Sequence, residues 1–299
     1  MNPQEHSSNS SDLLHRFVFD NTAVRGNHVN LAQTISQALE HHHYPAVLKN
    51  ALSQLMVASA LLAATLKMQG ALILQIQGKG ALKLLVVECS SNLEIRATAK
   101  WSGDIENTEF LSLIKEGQFV ITLDNKQDNG QTYQGIVPIE GANIAEILQN
   151  YMQRSEQIET RIWLSSGNNQ ATGMLLQKLP QQLDIDADAW NRVCHLADTT
   201  TDEEMLSLNA ESLLHRLFHQ ENIRLFTAQA TQFKCSCTRQ NVGNMLRMLG
   251  ADELNSVLAE QSQIEVNCDF CNRSYIFDAV DTAQLLASET TLTTSTIAH

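Results

Sequence analysis

The chain has 299 residues, and at roughly 150 residues per domain this length predicts about two domains and a sizeable hydrophobic core. Hydrophobic residues make up 43% of the chain and charged residues 18%, which excludes an intrinsically disordered chain, while 13 Gly and 4 Pro exclude a collagen-like one. Twenty basic and 33 acidic side chains give a net charge of -13, which argues against DNA or RNA as the main partner.

The sequence predicts a cytoplasmic protein that does not enter a membrane. Residues 1–12 have neither a basic start nor an apolar stretch, so no secretory signal is expected. The longest apolar run, residues 55–66, is too short to span a bilayer and predicts a buried helix. In a reducing compartment the six cysteines are expected to be thiols or metal ligands. Cys89 lies in a strand pattern and Cys194 in a helix pattern, and we expect both to be small buried hydrophobes.

Residues 1–178 show patterns typical of an α+β domain with a mostly antiparallel sheet and packed helices. Pro45 suits the first turn of a helix, and good helix formers follow it as far as Gly70. Short turns such as Asp128-Asn129-Gly130 separate the later strands, which predicts hairpins. The predicted strands are residues 13–20, 22–31, 71–77, 81–89, 93–101, 118–124, 131–137, 161–165 and 174–179, and the predicted helices are residues 31–43, 46–68 and 143–158.

Residues 179–231 predict an acidic, amphipathic, helical linker. They hold three basic and nine acidic side chains. Thr201 and Glu204 fit a capping box at a helix start. Four apolar residues recur at helical spacing and form a stripe: Leu213, Leu214, Leu217 and Phe218. We expect this stripe to pack against the first domain, and a reversible, partner-facing surface is the alternative.

Residues 232–299 contain two close cysteine pairs, Cys235 with Cys237 and Cys268 with Cys271. Two such pairs from distant segments can supply the four ligands of a tetrahedral zinc site, so we expect one Zn2+ per chain. A block of this size has little room for a hydrophobic core, and a metal often compensates for that. The predicted helices of this block are residues 239–249 and 252–261, and its predicted strands are residues 263–267 and 275–278.

The spacing of Cys235 and Cys237 separates this site from most structural zinc sites, whose pairs have two to four intervening residues. A single intervening residue places two sulfurs close enough to oxidise to each other, and a metal-bound thiolate is the nucleophilic form of cysteine. The same four sulfurs can therefore bind zinc when reduced and form disulfides when oxidised. Four cysteines allow three pairings, and a purely structural zinc site is the alternative.

At these cysteines the chain resembles the redox-regulated 33-kilodalton heat-shock chaperones of bacteria, the 33 kDa chaperonins. The resemblance extends over nearly the whole chain. Besides the cysteine pairs it is carried by Arg16-Phe17-Val18-Phe19, Val24-Arg25-Gly26, Leu74-Gln75-Ile76-Gln77-Gly78, Arg96-Ala97-Thr98-Ala99, Tyr133-Gln134-Gly135-Ile136-Val137-Pro138, Ser155-Glu156-Gln157, Leu175-Leu176-Gln177-Lys178-Leu179-Pro180, His215-Arg216-Leu217-Phe218-His219 and Tyr275-Ile276-Phe277-Asp278. Two segments depart from the family pattern: Gln240-Asn241 replaces a charged Glu-Arg pair, and Ala171-Thr172-Gly173 replaces a Gly-Gly turn.

The resemblance implies a chaperone rather than an enzyme, largely inactive while reduced and zinc-bound. On oxidation it implies the disulfides Cys235–Cys237 and Cys268–Cys271, dimerisation, and binding of unfolding proteins without ATP. Elementary energetics supports such a mechanism, because loss of a structural Zn2+ removes on the order of 10 kcal/mol of folding free energy. A block of about 60 residues has less than that in reserve, so we expect it to unfold and the linker to loosen, exposing the apolar stripe.

Other functions fit the residues less well. His219-Gln220-Glu221 with Cys268 and Cys271 is similar to the signature of zinc deaminases, but Asn267 stands at the proline position and four sulfurs leave no open position for water. No G-x-x-x-x-G-K-[ST] loop occurs, so ATP-driven chaperoning is not supported. A constitutive zinc module that docks on RNA or the ribosome is the alternative function, and the four basic residues of the last block argue against it.

Overall fold

A computed structural model describes residues 12–67, 69–125, 132–167, 169–180 and 186–287. The predicted Asp128-Asn129-Gly130 turn and the first eleven residues lie outside these ranges. The chain divides into two compact units, and the boundary falls between Lys234 and Cys235. The larger unit contains two six-stranded sheets with packed helices, and the smaller one contains a two-stranded sheet with helices. The α+β class predicted from the sequence is confirmed.

The predicted helices and strands of the two units are present in the predicted order with shifted ends, and the structure adds two helices that were not predicted, at residues 110–114 and 279–287. In the larger unit the elements are β1 (Leu13–Phe19), β2 (Val24–Leu31), α1 (Gln33–Leu39), α2 (Ala46–Ala63), β3 (Gly70–Gln77), β4 (Leu82–Ser90), β5 (Glu94–Trp101), α3 (Phe110–Ile114), β6 (Gln118–Asn125), β7 (Thr132–Val137), α4 (Ile144–Arg154), β8 (Thr160–Gly167), β9 (Gln170–Lys178), α5 (Ala189–Ala197), α6 (Asp202–Ser207), α7 (Ala210–Phe218), β10 (Ile223–Leu225), β11 (Gln229–Ala230) and β12 (Gln232–Phe233). In the smaller unit they are α8 (Arg239–Leu249), α9 (Ala251–Gln261), β13 (Ile264–Asn267), β14 (Ser274–Phe277) and α10 (Ala279–Ala287).

Helix α2 lies between the two sheets of the larger unit. It packs against β2, β8 and β9 of the first sheet and against β3, β4 and β5 of the second. Among the described residues it is the one helix whose length and apolar composition would allow it to cross a membrane, but 72% of it is buried inside the protein. The prediction of a buried helix is therefore confirmed for residues 55–63 but is wrong for residues 64–66, which follow the helix, and Leu66 is 37% exposed. Helix α2 is the centre of the main core.

The first sheet has the strand order β10-β1-β2-β9-β8, with β11 also paired to β1. Its two faces pack against different parts of the chain because side chains alternate along each strand. Val29 and Leu31 belong to the core around α2, whereas Phe17, Val24 and Met174 belong to a second core completed by α5, α6 and α7. We call these three helices the helical cover.

The apolar stripe of the linker lies in this second core. Leu213, Leu214, Leu217 and Phe218 are all buried there, so the expected packing against the first domain is confirmed. The Phe218 ring contacts Phe19 edge-on, with ring centroids 5.0 Å apart. The predicted capping box is present at the start of α6.

Ion pairs hold the two ends of the helical cover together. Arg192 on α5 donates to Asp186 at 2.7 Å and to Glu221 at 2.6 Å, so one guanidinium joins the residues that precede α5 and follow α7. The hydrogen bond with Arg192 also lowers the pKa of the Asp186 carboxyl.

Residues 223–234, which we call the strap, run from the helical cover to the boundary of the larger unit. β10 and β11 pair with β1, whereas β12 pairs in parallel with β5 of the second sheet. Lys234, the last residue of the unit, donates its backbone N–H to Ile95 at 3.1 Å, and its Nζ lies 2.6 Å from Glu94 Oε1. The sequence predicted only helices for this part of the linker, because strands of two or three residues give no periodic signal.

We predict that Phe218→Ala selectively destabilises docking of the helical cover. Phe218 is 2% exposed, and truncating a buried phenylalanine costs about 3 kcal/mol or more. Hydrogen exchange of the reduced protein should therefore show faster exchange in α7 with unchanged protection of β3 and β4. Phe226→Ala is the matched control, because Phe226 on the strap is 47% exposed. Equal losses of protection in both variants would contradict the description of this core.

Candidate metal centre

The smaller unit, which we call the cysteine unit, has a hydrophobic core in which six of the described residues are buried: Val242, Leu246, Leu254, Ile264, Tyr275 and Phe277. Cys237 and Cys268 pack against this core with their side chains partly exposed. Such a core is small. Domains of this size bury little apolar surface, and they commonly need a metal or a cross-link to be stable.

The first cysteine pair lies directly before α8, in a loop that two hydrogen bonds fix. Thr238 is the N-cap of α8, and its Oγ1 accepts the backbone N–H of Asn241 at 3.1 Å. The Asn241 side chain donates to the carbonyl of Ser236 at 3.1 Å, the residue between Cys235 and Cys237. Asn241, which departs from the family pattern, therefore holds the turn of the C-x-C pair.

The second cysteine pair lies at the tip of the β13–β14 hairpin, whose register pairs Asn267 with Ser274. The tip closes through backbone hydrogen bonds between Cys268 and Arg273, at 3.0 Å, and from Asn272 to Cys268, at 2.8 Å. Asn272 has a φ of 52°, a left-handed conformation that asparagine tolerates better than most residues. This turn directs the Cys268 and Cys271 side chains toward the first pair.

The four cysteine sulfurs form one compact cluster, in which all Sγ atoms lie within 4.8 Å of one another. Cys235 Sγ is 3.6 Å from Cys268 Sγ, and Cys237 Sγ is 3.4 Å from Cys271 Sγ. The cysteines are free thiols, at separations well above a disulfide bond of about 2.05 Å. A tetrahedral site with bonds of about 2.3 Å has edges of roughly 3.8 Å, so the cluster has the size of a four-sulfur metal site.

The donor set also fits zinc. Four thiolates arranged tetrahedrally favour Zn2+ or an iron–sulfur centre over the hard cations that prefer oxygen. A closed set of four protein ligands is typical of structural zinc sites and leaves no open position for a catalytic water.

One sulfur of the cluster has a side-chain hydroxyl as its neighbour. Tyr275, which is 8% exposed, donates its hydroxyl to Cys237 Sγ at 3.2 Å. Burial opposes ionisation of Cys237, but the hydrogen bonds from Tyr275 and from the neighbouring sulfurs outweigh it and lower its pKa to about 7. Burial raises the pKa of Cys235 and of Cys271. Cys237 therefore ionises more readily than Cys235 or Cys271.

The predicted site residues separate into two groups. The structure brings Cys235, Cys237, Cys268 and Cys271 together, as the sequence spacing suggested. Cys89 and Cys194 are buried in the larger unit, and burial raises the pKa of each thiol to about 12. Such thiols are poor nucleophiles, which agrees with the interpretation of both as small buried hydrophobes.

Sequence reasoning missed two polar residues that organise the cysteine unit. In the sequence Tyr275 appears only as part of a family motif, because its contact with Cys237 depends on the β13–β14 register. Arg239 donates to the Ile276 carbonyl and to Asp281, each at 2.7 Å, and its guanidinium lies 4.3 Å from the centre of the Phe277 ring. It thereby ties α8 to β14 and α10, and an isolated arginine in a sequence gives no signal of such contacts.

The chain is similar to one family of known proteins over most of its length. A family model described as Hsp33 protein matches residues 12–278. The 33 kDa chaperonin of Methylobacillus flagellatus is 58% identical over 291 residues, which cover 97% of this chain and 99% of that protein. The 33 kDa chaperonin of Chromobacterium violaceum is 49% identical over 278 residues, covering 93% and 94%.

A solved structure has the same fold. The crystal structure of the 33 kDa chaperonin of Thermotoga maritima, a heat shock protein 33 homologue, matches with a TM-score of 0.79 over 93% of this chain and 99% of that chain. At 19% identity this match shows the fold alone. Since the family model and the two relatives each cover more than four fifths of the sequence, the chain belongs to the Hsp33 family of chaperones.

Proposed function

We propose that this protein is an ATP-independent holdase, and that oxidation of a four-cysteine zinc centre activates it. The observation that carries the proposal is the cluster of four sulfurs within 4.8 Å in a unit whose described part has six buried core residues. Family membership supports binding of client proteins rather than catalysis. The resemblance noted in the sequence supports the redox control.

In the reduced state, Cys235, Cys237, Cys268 and Cys271 hold one Zn2+. When bound, the metal joins the loop before α8 to the β13–β14 hairpin and keeps the sulfurs as thiolates, the nucleophilic form. A structural zinc contributes on the order of 10 kcal/mol to folding, a large amount beside the core described above. The fold of the cysteine unit thus depends on four reduced sulfurs.

Oxidation removes these ligands in pairs. Two thiolates give two electrons to hydrogen peroxide, which takes up two protons from the solvent, forming one disulfide and two water molecules. Neighbour pairing, Cys235 with Cys237 and Cys268 with Cys271, follows from the family resemblance and from closeness in sequence. The closest contacts given above, at 3.6 and 3.4 Å, join sulfurs of different pairs, so the pairing needs direct mapping by mass spectrometry.

The strap connects this event to the helical cover. Lys234 is the last ordered anchor on the second sheet, and Cys235 follows it in the chain. When the cysteine unit unfolds, the end of the strap is no longer fixed by a folded neighbour. Strands of two or three residues then fray readily, because each is held by few hydrogen bonds.

Release of the helical cover exposes the apolar face that binds clients. This face includes Phe17, Phe19, Val24, Met174 and Leu176, all 2% exposed or less while the cover is docked. The freed cover adds its own leucine stripe. An apolar surface that is buried at rest and exposed after oxidation suits unfolding proteins, which expose apolar segments of many sequences.

We propose that the oxidised protein is a homodimer in the cytoplasm, as the family resemblance implies. The net charge of -13 opposes binding to nucleic acid, and the apolar helix α2 is occupied inside the core rather than available to a membrane.

We predict one zinc ion per reduced chain and a severe loss of affinity in Cys268→Ser. A three-sulfur site is expected to bind more than about 100-fold more weakly, because even an outer-shell partner contributes 10- to 100-fold. Elemental analysis and competition with a chromogenic chelator measure both quantities. Cys89→Ala, at a buried cysteine of the larger unit, is the control and should retain full affinity. Full-affinity zinc in Cys268→Ser would overturn the ligand assignment.

We predict that replacing Leu213 and Leu217 by Ser activates the reduced, zinc-loaded protein. Each leucine is at most 3% exposed in the core under the helical cover, and burying each apolar side chain stabilises docking by roughly 1.5–3 kcal/mol. Suppression of client aggregation without oxidant is the measurement. Met248→Ser is the control, because Met248 is 82% exposed on α8. A folded double variant that stays inactive until oxidised would contradict release of the cover as the activating step.

A further inference from the structure

Two histidines lie on the sheet face that the helical cover buries. His15 on β1 is directly opposite His28 on β2, and His28 is directly opposite Met174 on β9. Directly opposed side chains in an antiparallel pair lie on the same face, and Met174 belongs to the core that the cover completes. His28 is 1% exposed and His15 is half-buried. Both rings therefore lie on the face beneath the cover.

Hydrogen bonds fix which nitrogen of His28 carries the proton. The Thr172 hydroxyl donates to the Val29 carbonyl at 3.0 Å, and its oxygen lies 3.2 Å from His28 Nε2. Because the hydroxyl proton is already used, Thr172 accepts from Nε2–H, and Nδ1 is the unprotonated nitrogen of the neutral ring. His28 Nδ1 is buried without a hydrogen-bond partner among the described residues, and so is Nδ1 of His15.

A second proton on His28 would therefore create a buried charge and a buried donor with no acceptor, which is costly. The facing residues of β9, Thr172, Met174 and Leu176, carry no charge. His15 would repel the added charge on His28. The Glu211 carboxylate of α7 raises the pKa of His15, but burial outweighs this effect and lowers that pKa. Of the other charged side chains on the covering helices, Asp202 accepts from Ser165, Glu204 pairs with Arg216, and Arg192 pairs with Asp186 and Glu221, whereas Glu203 is exposed.

We propose that His15 and His28 form an acid-sensitive latch, which is neutral while α5, α6 and α7 are docked and whose protonation favours their release from the first sheet. The latch requires no change at the cysteines, so it goes beyond the redox mechanism proposed above. It would make the same apolar face available under acid conditions without an oxidant.

The direction of the pH dependence of docking follows from the burial of the His28 ring. Burial, with a smaller effect of His15, lowers the pKa of His28 to about 4, compared with 6.5 for a solvated histidine. A group whose pKa is depressed in the docked state stabilises docking fully above pH 6.5, and this contribution is lost as the pH falls toward 4. Between pH 7.5 and pH 5, His28 alone shifts the ratio of released to docked cover about 30-fold toward release.

Hydrogen exchange of the full-length, reduced, zinc-loaded chain at pH 7.5 and pH 5 tests the latch, after correction for the intrinsic pH dependence of exchange. In the wild type, the amides of α7 should lose about 30-fold in protection while β3 and β4 keep theirs. His28→Gln cannot be protonated and should lose little protection. His215→Gln, at an exposed histidine of α7, is the matched control and should behave like the wild type. Protection in wild-type α7 that does not depend on pH would overturn the proposal.

Bound zinc is measured in the same samples, because acid also weakens thiolate ligation. Equal losses of α7 protection in the wild type and His28→Gln that follow the loss of zinc would also overturn the latch. A wild type without zinc would refute the proposed function, yet the comparison with His28→Gln would still decide the latch.

Should His28→Gln not fold, the 15N chemical shifts of the wild-type His28 imidazole test the latch instead. A ring that stays neutral at pH 6 with its proton on Nε2 supports the latch, and ordinary titration near pH 6.5 in the docked state contradicts it.

Discussion

We propose that the fold of the cysteine unit depends on the metal that its four sulfurs bind. Cys235 and Cys237 precede α8, Cys268 and Cys271 lie at the tip of a hairpin, and six apolar residues of the described part of the unit form its core. A metal at the sulfur cluster would join the two segments, and without it the unit would have little to oppose chain entropy. On this proposal, a chemical change at the sulfurs changes the folding of the unit.

The order of elements along the chain suggests how unfolding of the cysteine unit would affect the larger unit. The cysteine unit follows the strap, the strap follows the helical cover, and the cover buries one face of the first sheet. The opposite face packs on α2, whose core does not depend on the cover. We propose that the same apolar residues stabilise the resting protein and, once uncovered, bind clients, while the second sheet and α2 keep the larger unit folded.

The sequence predicted what periodicity and residue type determine. The long strands, the buried helix α2, the leucine stripe of α7 and the cysteine cluster all follow from local patterns. It did not predict the division of the strands between two sheets, which depends on pairing at long range, nor β10–β12, which are too short for periodicity. The roles of Tyr275, His15 and His28 were also invisible, because each depends on strand register and on which neighbours are satisfied by hydrogen bonds.

We propose that uncovering the first sheet, rather than loss of the metal itself, creates the client-binding surface. Hydrogen exchange at successive times after addition of peroxide to the zinc-loaded protein, with aggregation suppression assayed on the same samples, tests it most directly. The account predicts that the cysteine unit loses protection first, that α5–α7 follow, and that activity rises with the loss in α5–α7 while β3 and β4 stay protected. Full activity while the amides of α7 remain as protected as in the reduced protein would contradict it.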